Sequence, residues 1–149
     1  MSPGARGPAA PRGLTLEDLA EGQSHRKTVA MTEEMMIAFT RSLGDNTSFH
    51  QDPEMAKDSY YGRIVAPGML TASLIGFVLG TEFPGLGTIY VSQDLRFVRP
   101  VFVGDMLTIS VTVLEVRRER RRVRLSTLVE NQDDETVLEG QAEIIPPGV

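Results

Sequence analysis

The sequence predicts an α+β protein in which an antiparallel sheet packs around one long central helix, and three observations carry that prediction. The stretch GMLTASLIGFVL, Gly68 to Leu79, is apolar on nearly every side, so as a helix it must be wrapped by the rest of the chain. From Thr88 onward the pattern changes to a period of two. Leu107, Ile109, Val111 and Val113 alternate with Thr108, Ser110 and Thr112, and Val123, Leu125, Thr127 and Val129 continue the alternation. The parallel βαβ repeats of a doubly wound fold are missing from this order.

The elements follow along the chain. Residues 1 to 13 hold three prolines and three glycines among small side chains, a composition expected to form a disordered arm. Residues 14 to 149 are expected to form a single domain, since 149 residues suffice for one sizeable core. Thr15 to Leu19 has the pattern of one helical turn, and HRKTVAM that of a short strand. The next helix has a readable start. Thr32 can cap it, Glu33 and Glu34 favour its positive end, and Met31 can pack on Met36 as a hydrophobic staple. Met35, Met36, Phe39 and Leu43 make its apolar stripe, and it ends near Gly44. Asp45 to Ala66 is irregular, with room for a short helix after Pro53. TIYVSQDLRFVRP reads as one strand with a pause, and NQDDE as the turn before the last strand, TVLEGQAEII.

Composition narrows the function. Fifteen Lys and Arg against 20 Asp and Glu give a formal charge of -5, which opposes nucleic acid as the main partner. The absence of cysteine removes disulfides, thiolate nucleophiles and thiolate-held metals, and leaves two histidines and carboxylates as the only metal ligands. No segment has the roughly 18 apolar residues of a membrane span, and MSPGARGPAAPRG lacks the apolar run of a secretory signal, so a cytoplasmic protein is expected.

Two features can carry chemistry. Asp45 and His50 stand five residues apart in SLGDNTSFHQDPE, where Gly44 stops a helix and Phe49 offers an apolar anchor. They can form an acid–base pair, or an ordinary polar loop in which the Asp bonds its own backbone. Gly68 opens the apolar helix. Backbone amides there have no intrahelical acceptor and can bind the oxygen of a polarised carbonyl. Pro67 and Gly68 also suit a helix start for conformational reasons alone. The arginine-rich segment EVRRERRRVR, with Arg117, Arg118, Arg120, Arg121, Arg122 and Arg124, is either a docking patch for phosphates or an acidic carrier protein, or a solvated hairpin end. Its place between two alternating strands favours the hairpin end.

The blocks GDNTSFHQDP, GRIVAPGMLTASL and GLGTIYVSQDLRFVRPVFVGDMLTISVTV, in that order, resemble the MaoC-like branch of the hotdog fold, whose familiar members are the (R)-specific enoyl-CoA hydratases. TLEDLAEG and TEEMMIAFTRSLGD are similar to the same family, so the resemblance runs from about residue 14 to residue 145. It implies a hotdog fold and a homodimer that joins two sheets into one. It also implies reversible hydration of a trans-2-enoyl thioester to an (R)-3-hydroxyacyl thioester. No metal or redox cofactor is implied; coenzyme A or phosphopantetheine is part of the substrate, and an acyl carrier protein is a possible partner.

By the same resemblance, Asp45 and His50 hold a water against the enoyl double bond, and the Gly68 amide stabilises the thioester oxygen. Gly76 and Leu79 stand near the acyl pocket, where the missing Gly76 side chain is expected to leave room for more than the shortest acyl groups. The family loop reads Asp, any residue, Asn, Pro, a hydrophobic residue, His. Here Thr47 replaces the Asn and Ser48 the Pro, and Pro67 stands where many hydratases have His. Two rival functions stand beside this one: thioester hydrolysis, the work of another large branch of hotdog proteins, and, suggested by these departures, a non-catalytic acyl-thioester binding protein or one subunit of a heteromeric dehydratase.

Overall fold

The computed structural model describes residues 12–45 and 52–148. The elements in chain order are strand β1 (Ser24–Ala30), helix α1 (Glu33–Ser42), helix α2 (Pro53–Lys57), helix α3 (Gly68–Thr81), then strands β2 (Ile89–Gln93), β3 (Arg96–Phe97), β4 (Met106–Arg117), β5 (Arg122–Glu130) and β6 (Thr136–Ile145). A single turn of 3-10 helix, Leu16–Asp18, precedes β1. All strand pairings are antiparallel, in the order β1-β4-β5-β6-β2, with β3 also on β6. This is the α+β hotdog arrangement, an antiparallel sheet against one long helix.

The alternation in the strands decides which face of the sheet is inside. Leu107, Ile109, Val111 and Val113 of β4 and Val123, Leu125, Thr127 and Val129 of β5 are all buried, while their neighbours in sequence face outward. Leu74, Ile75, Val78 and Leu79 of α3 join the same core. Each such side chain contributes roughly 1.5–3 kcal/mol by leaving water. Helix α1 starts as its sequence predicts: the Thr32 hydroxyl accepts from the Met35 amide at 3.2 Å, and Met31 and Met36 on either side of that cap are fully buried.

Two expectations need correction. The chain does not wrap α3 on every side. Met69 and Phe77 remain 57% and 51% exposed, and with exposed Ser73 and Thr81 they form a stripe at four-residue spacing. The physical reason is that one sheet layer covers only one side of a helix. Ile89, Tyr90 and Val91, on edge strand β2, are also exposed, so helix stripe and sheet edge present apolar surface together.

The second correction concerns TIYVSQDLRFVRP, which is two strands. At Asp94 the main chain crosses close over Gly140, where a Cβ would stand 2.0 Å from the Asp94 carbonyl oxygen. The Asp94 amide donates to Gln141 O at 3.0 Å, and the Gln141 amide donates to Asp94 Oδ1 at 3.0 Å. Both strands therefore pair with β6, β2 along its second half and β3 along its first.

The C-terminal end of α3 is held to β1 by charge. Lys27 Nζ lies 2.9 Å and His25 Nε2 3.2 Å from the two carboxylate oxygens of Glu82, and the His25 ring stacks on Phe83. The Lys27 ammonium, with a smaller part from His25, keeps the Glu82 carboxyl below the usual carboxylate range against the opposing effect of burial. A carboxyl lowered on folding stabilises the fold above its unfolded pKa and loses that contribution as pH falls through the folded value. Melting temperature measured from about pH 6 down to pH 3 should therefore fall less steeply in Glu82→Gln than in the unchanged protein. Equal slopes would show that this pair carries no pH-linked stability.

Candidate active site

Asp45 is placed by the way α1 ends. Gly44 adopts φ +83°, its amide donates to Arg41 O at 2.9 Å, and the Asp45 amide donates to Thr40 O at 3.0 Å. These two bonds are the paired closure of a Schellman motif, which needs a left-handed residue at the glycine position. Thr40 is itself buried, its hydroxyl donating back to Met36 O at 2.9 Å. Asp45 thus leaves a rigid helix end at a defined backbone position. His50, with the altered loop positions Thr47 and Ser48, lies outside the described residues, and the chain resumes at Asp52, whose carboxylate caps α2.

Gly68 opens α3. The chain entering it is tied down by the Ala66 amide donating to Val101 O at 2.7 Å and by the bridge from Val65 to Phe102. As a first helical residue, Gly68 presents an amide without an intrahelical acceptor. The Phe97 ring packs so closely that a Cβ at Gly68 would stand 2.8 Å from its Cε1. Gly68, Thr71 and Phe97 line a cavity of about 210 Å³, together with Tyr61, Ala66 and Leu138. It has mainly apolar walls, with the helix terminus at one side.

Gly76 lies elsewhere on α3, in a groove of about 350 Å³ with Met69, Ser73, Tyr90, Val91 and Leu95. The space its missing side chain vacates is already used: a Cβ there would stand 3.3 Å from Tyr90 Cε2. The Tyr90 hydroxyl donates to Gln93 Oε1, and Gln93 Nε2 donates to Thr127 Oγ1 at 2.9 Å. Partial burial pushes the Tyr90 hydroxyl, on a side chain that is still 42% exposed, up to about 12, so it stays a neutral donor at working pH. Leu79 is 1% exposed in the core, and neither the cavity nor the groove includes it in its lining. The sequence reading missed Thr71, Phe97, Tyr90 and Gln93. Thr71 alone left a signal, as a polar residue in an otherwise apolar run, whereas the other three depend on how β2 and β3 cross the helix.

The arginine-rich segment forms the β4–β5 hairpin end. Arg117 and Arg124 both meet Glu115, at 2.8 and 3.1 Å, Arg118 meets Glu17 at 3.8 Å and Arg122 meets Glu143 at 3.5 Å. Among the described residues only Arg120 and Arg121 of the six lack a carboxylate partner. The hairpin pairs at Val123 with Ile144, while Phe97, beside Gly68, pairs with Leu138. Six residues of strand, about 20 Å, separate those levels of the sheet. The hairpin is cross-braced by carboxylates and stands at the opposite end of the sheet from the cavity. Among the described residues no group of three or more His, Asp or Glu is placed to hold a metal ion, and no helix is long and apolar enough to cross a membrane.

An antiparallel sheet on a long glycine-led helix, with an Asp set at a helix end, is the arrangement of a hotdog protein. The MaoC like domain model matches residues 16–135, and the chain belongs to that family, closely related to the (R)-specific enoyl-CoA hydratases. It is 37% identical to the 3-hydroxybutyryl-CoA dehydratase of Methylorubrum extorquens over 136 residues, 91% of this chain and 86% of the relative. It is 33% identical to the (R)-specific enoyl-CoA hydratase of Aeromonas caviae, over 90% of this chain and all of the relative (100%). Among solved structures, the unliganded R-hydratase PhaJ1 from Pseudomonas aeruginosa superposes with a TM-score of 0.87 at 36% identity, covering 93% of this chain and 88% of that one.

The Schellman closure gives a direct test of how Asp45 is held. Gly44→Ala meets no atom within 4 Å, so its effect is purely backbone strain. It should cost about 1 kcal/mol of stability in denaturant unfolding. Unchanged stability would mean that the turn tolerates another conformation.

Proposed function

We propose that the protein catalyses reversible hydration of trans-2-enoyl-CoA to (R)-3-hydroxyacyl-CoA. The observation that carries this reading is the cavity at the N-terminus of α3, with Gly68 in its wall, in a chain similar along nearly its whole length to hydratases and a dehydratase of such thioesters. In this reading Asp45 and His50 hold a water beside the β-carbon. His50 takes a proton as the water oxygen bonds to that carbon, and the displaced π electrons flow toward the thioester carbonyl. The Gly68 amide donates to the oxygen that gains charge, the step for which a preorganised donor matters most. Asp45 orients the water and relays the proton taken by His50 to the α-carbon, which restores the carbonyl and returns His50 to its starting state. No redox change occurs, so the reaction requires no electron carrier.

The acyl chain runs along α3 toward Gly76, with Leu79 backing that wall from the core. The Tyr90 ring against Gly76 narrows that direction and supports short acyl groups over the longer ones that the glycine alone suggests. Coenzyme A is the carrier in this proposal, since four of the six hairpin arginines are already paired within the chain. A cytoplasmic homodimer belongs to the same reading. Exposed Met69 and Phe77 on α3 and the free β2 edge with Ile89, Tyr90 and Val91 support a second copy there, because they join an apolar stripe to unpaired strand backbone.

The test follows loss of the conjugated enoyl absorbance with crotonyl-CoA, with chiral analysis of the product. The unchanged protein should yield (R)-3-hydroxybutyryl-CoA. Asp45→Asn and His50→Ala should each lose on the order of 10²-fold or more in kcat while remaining folded. Release of free coenzyme A and free acid would replace this reading with thioester hydrolysis. Binding without turnover by a verified homodimer would replace it with a non-catalytic role.

A further inference from the structure

We infer that the Thr71 hydroxyl is a second hydrogen-bond donor to the thioester carbonyl oxygen, beside the Gly68 amide; this inference rests on the hydratase reading above. Thr71 is 2% exposed, and its Oγ1 is buried without a hydrogen-bond partner. A hydroxyl left in that state opposes folding, so it calls for an acceptor that the folded chain does not itself supply.

The other helical Ser and Thr residues of the described chain show what Thr71 does not do. The hydroxyls of Thr40, Ser73 and Thr81 each donate to the carbonyl four residues back, at 2.9, 2.7 and 2.6 Å, and Ser42 donates three residues back at 2.6 Å. For Thr71 the corresponding carbonyl belongs to Pro67. That oxygen already receives the amides of Leu70 at 3.0 Å and Thr71 at 3.4 Å. Both of its acceptor directions are therefore in use, and the hydroxyl stays unpaired.

Position along the helix says what the hydroxyl can reach. Gly68 and Thr71 are three residues apart, hence on one face of α3, and both line the same cavity of about 210 Å³. Side chains on a helix lean toward its N-terminus, so Thr71 leans toward the end where the Gly68 amide is free. Of the cavity's other polar side chains, Arg99 is occupied with Thr136 O at 2.9 Å and Glu135 at 3.3 Å, and Tyr61 is 49% exposed, so its hydroxyl can be served by water. An acceptor oxygen drawn to the Gly68 amide thus has the buried, unengaged Thr71 hydroxyl on the same helix face. The carbonyl oxygen of a thioester has two lone pairs and suits this two-donor arrangement. When water adds at the β-carbon, electron density moves to that oxygen, and both donors strengthen without giving up their protons.

Thr71→Val keeps the shape and removes only the donor, and Thr71→Ser keeps the donor. With crotonyl-CoA, Thr71→Val is expected to lose on the order of 10²-fold in kcat with little change in KM, and Thr71→Ser to retain most of the activity. The Val variant should melt at the same or a higher temperature than the unchanged protein, since a buried unpaired hydroxyl has gone. A residue that served only packing would show the reverse, lower melting and no rescue by Ser, and that result overturns the inference. So does a Val variant with unchanged kcat. If the unchanged protein does not hydrate crotonyl-CoA, the hydratase reading fails separately, and the melting shift produced by saturated butyryl-CoA decides the Thr71 contact. A smaller shift in Thr71→Val than in the unchanged protein supports it, and equal shifts, including none in either, overturn it.

Discussion

The seating of α3 on the inner face of the sheet is the contact on which the rest of the structure depends. Leu74, Ile75, Val78 and Leu79 fill the inner side of β4, β5 and β6, and the alternating Val, Ile and Leu residues of those strands complete the same core. Because burial is proportional to area and indifferent to direction, it decides that the helix lies on this face but not how far along. The axial position comes from polar contacts at the ends. At one end Ala66 and Val65 tie the entering chain to Val101 and Phe102; at the other, Glu82 meets Lys27 and His25 of β1.

That axial placement turns a structural element into a chemical one. A helix must expose unsatisfied amides at its start, and here the start borders an open cavity with mainly apolar walls. Phe97 lies over Gly68 only because β3 is set off from β2 at Asp94, where the main chain crosses Gly140. The break in the edge strand and the shape of the cavity are thus consequences of one close backbone approach.

Most of the ion pairs stand away from this region, and the one charged side chain that lines the cavity among the described residues, Arg99, is paired with Glu135 at 3.3 Å. The ion pairs of the β4–β5 hairpin and the Glu82 cluster both belong to the far end of α3, and they settle Lys27, Arg117, Arg118, Arg122 and Arg124 against carboxylates of the same chain. The Gly68 amide and the buried Thr71 hydroxyl near the helix N-terminus are neutral donors. Neutral preorganised donors suit an oxygen whose charge appears only during reaction, because they need not be discharged or resolvated as it forms.

Local rules were enough to read much of the molecule from its amino acids. The period of two in β4 and β5, the Thr32 cap, the glycine stop at Gly44 and the apolar run from Gly68 are each set by neighbours within a few residues, where sterics and burial act directly. The Asp45, His50 and Gly68 candidates drew on such local features but rested mainly on the family resemblance. The partial exposure of α3, the split between β2 and β3, the occupation of the Gly76 space by Tyr90 and the local pairing of the hairpin arginines were not legible. They depend on segments tens of residues apart meeting in one register: Asp94 over Gly140, Tyr90 over Gly76, Arg118 beside Glu17. Whether Thr71 is paired belongs with them. Its residue type was plain in the sequence, but only the folded helix end shows that the Pro67 carbonyl has been taken by two amides, leaving the hydroxyl for another acceptor.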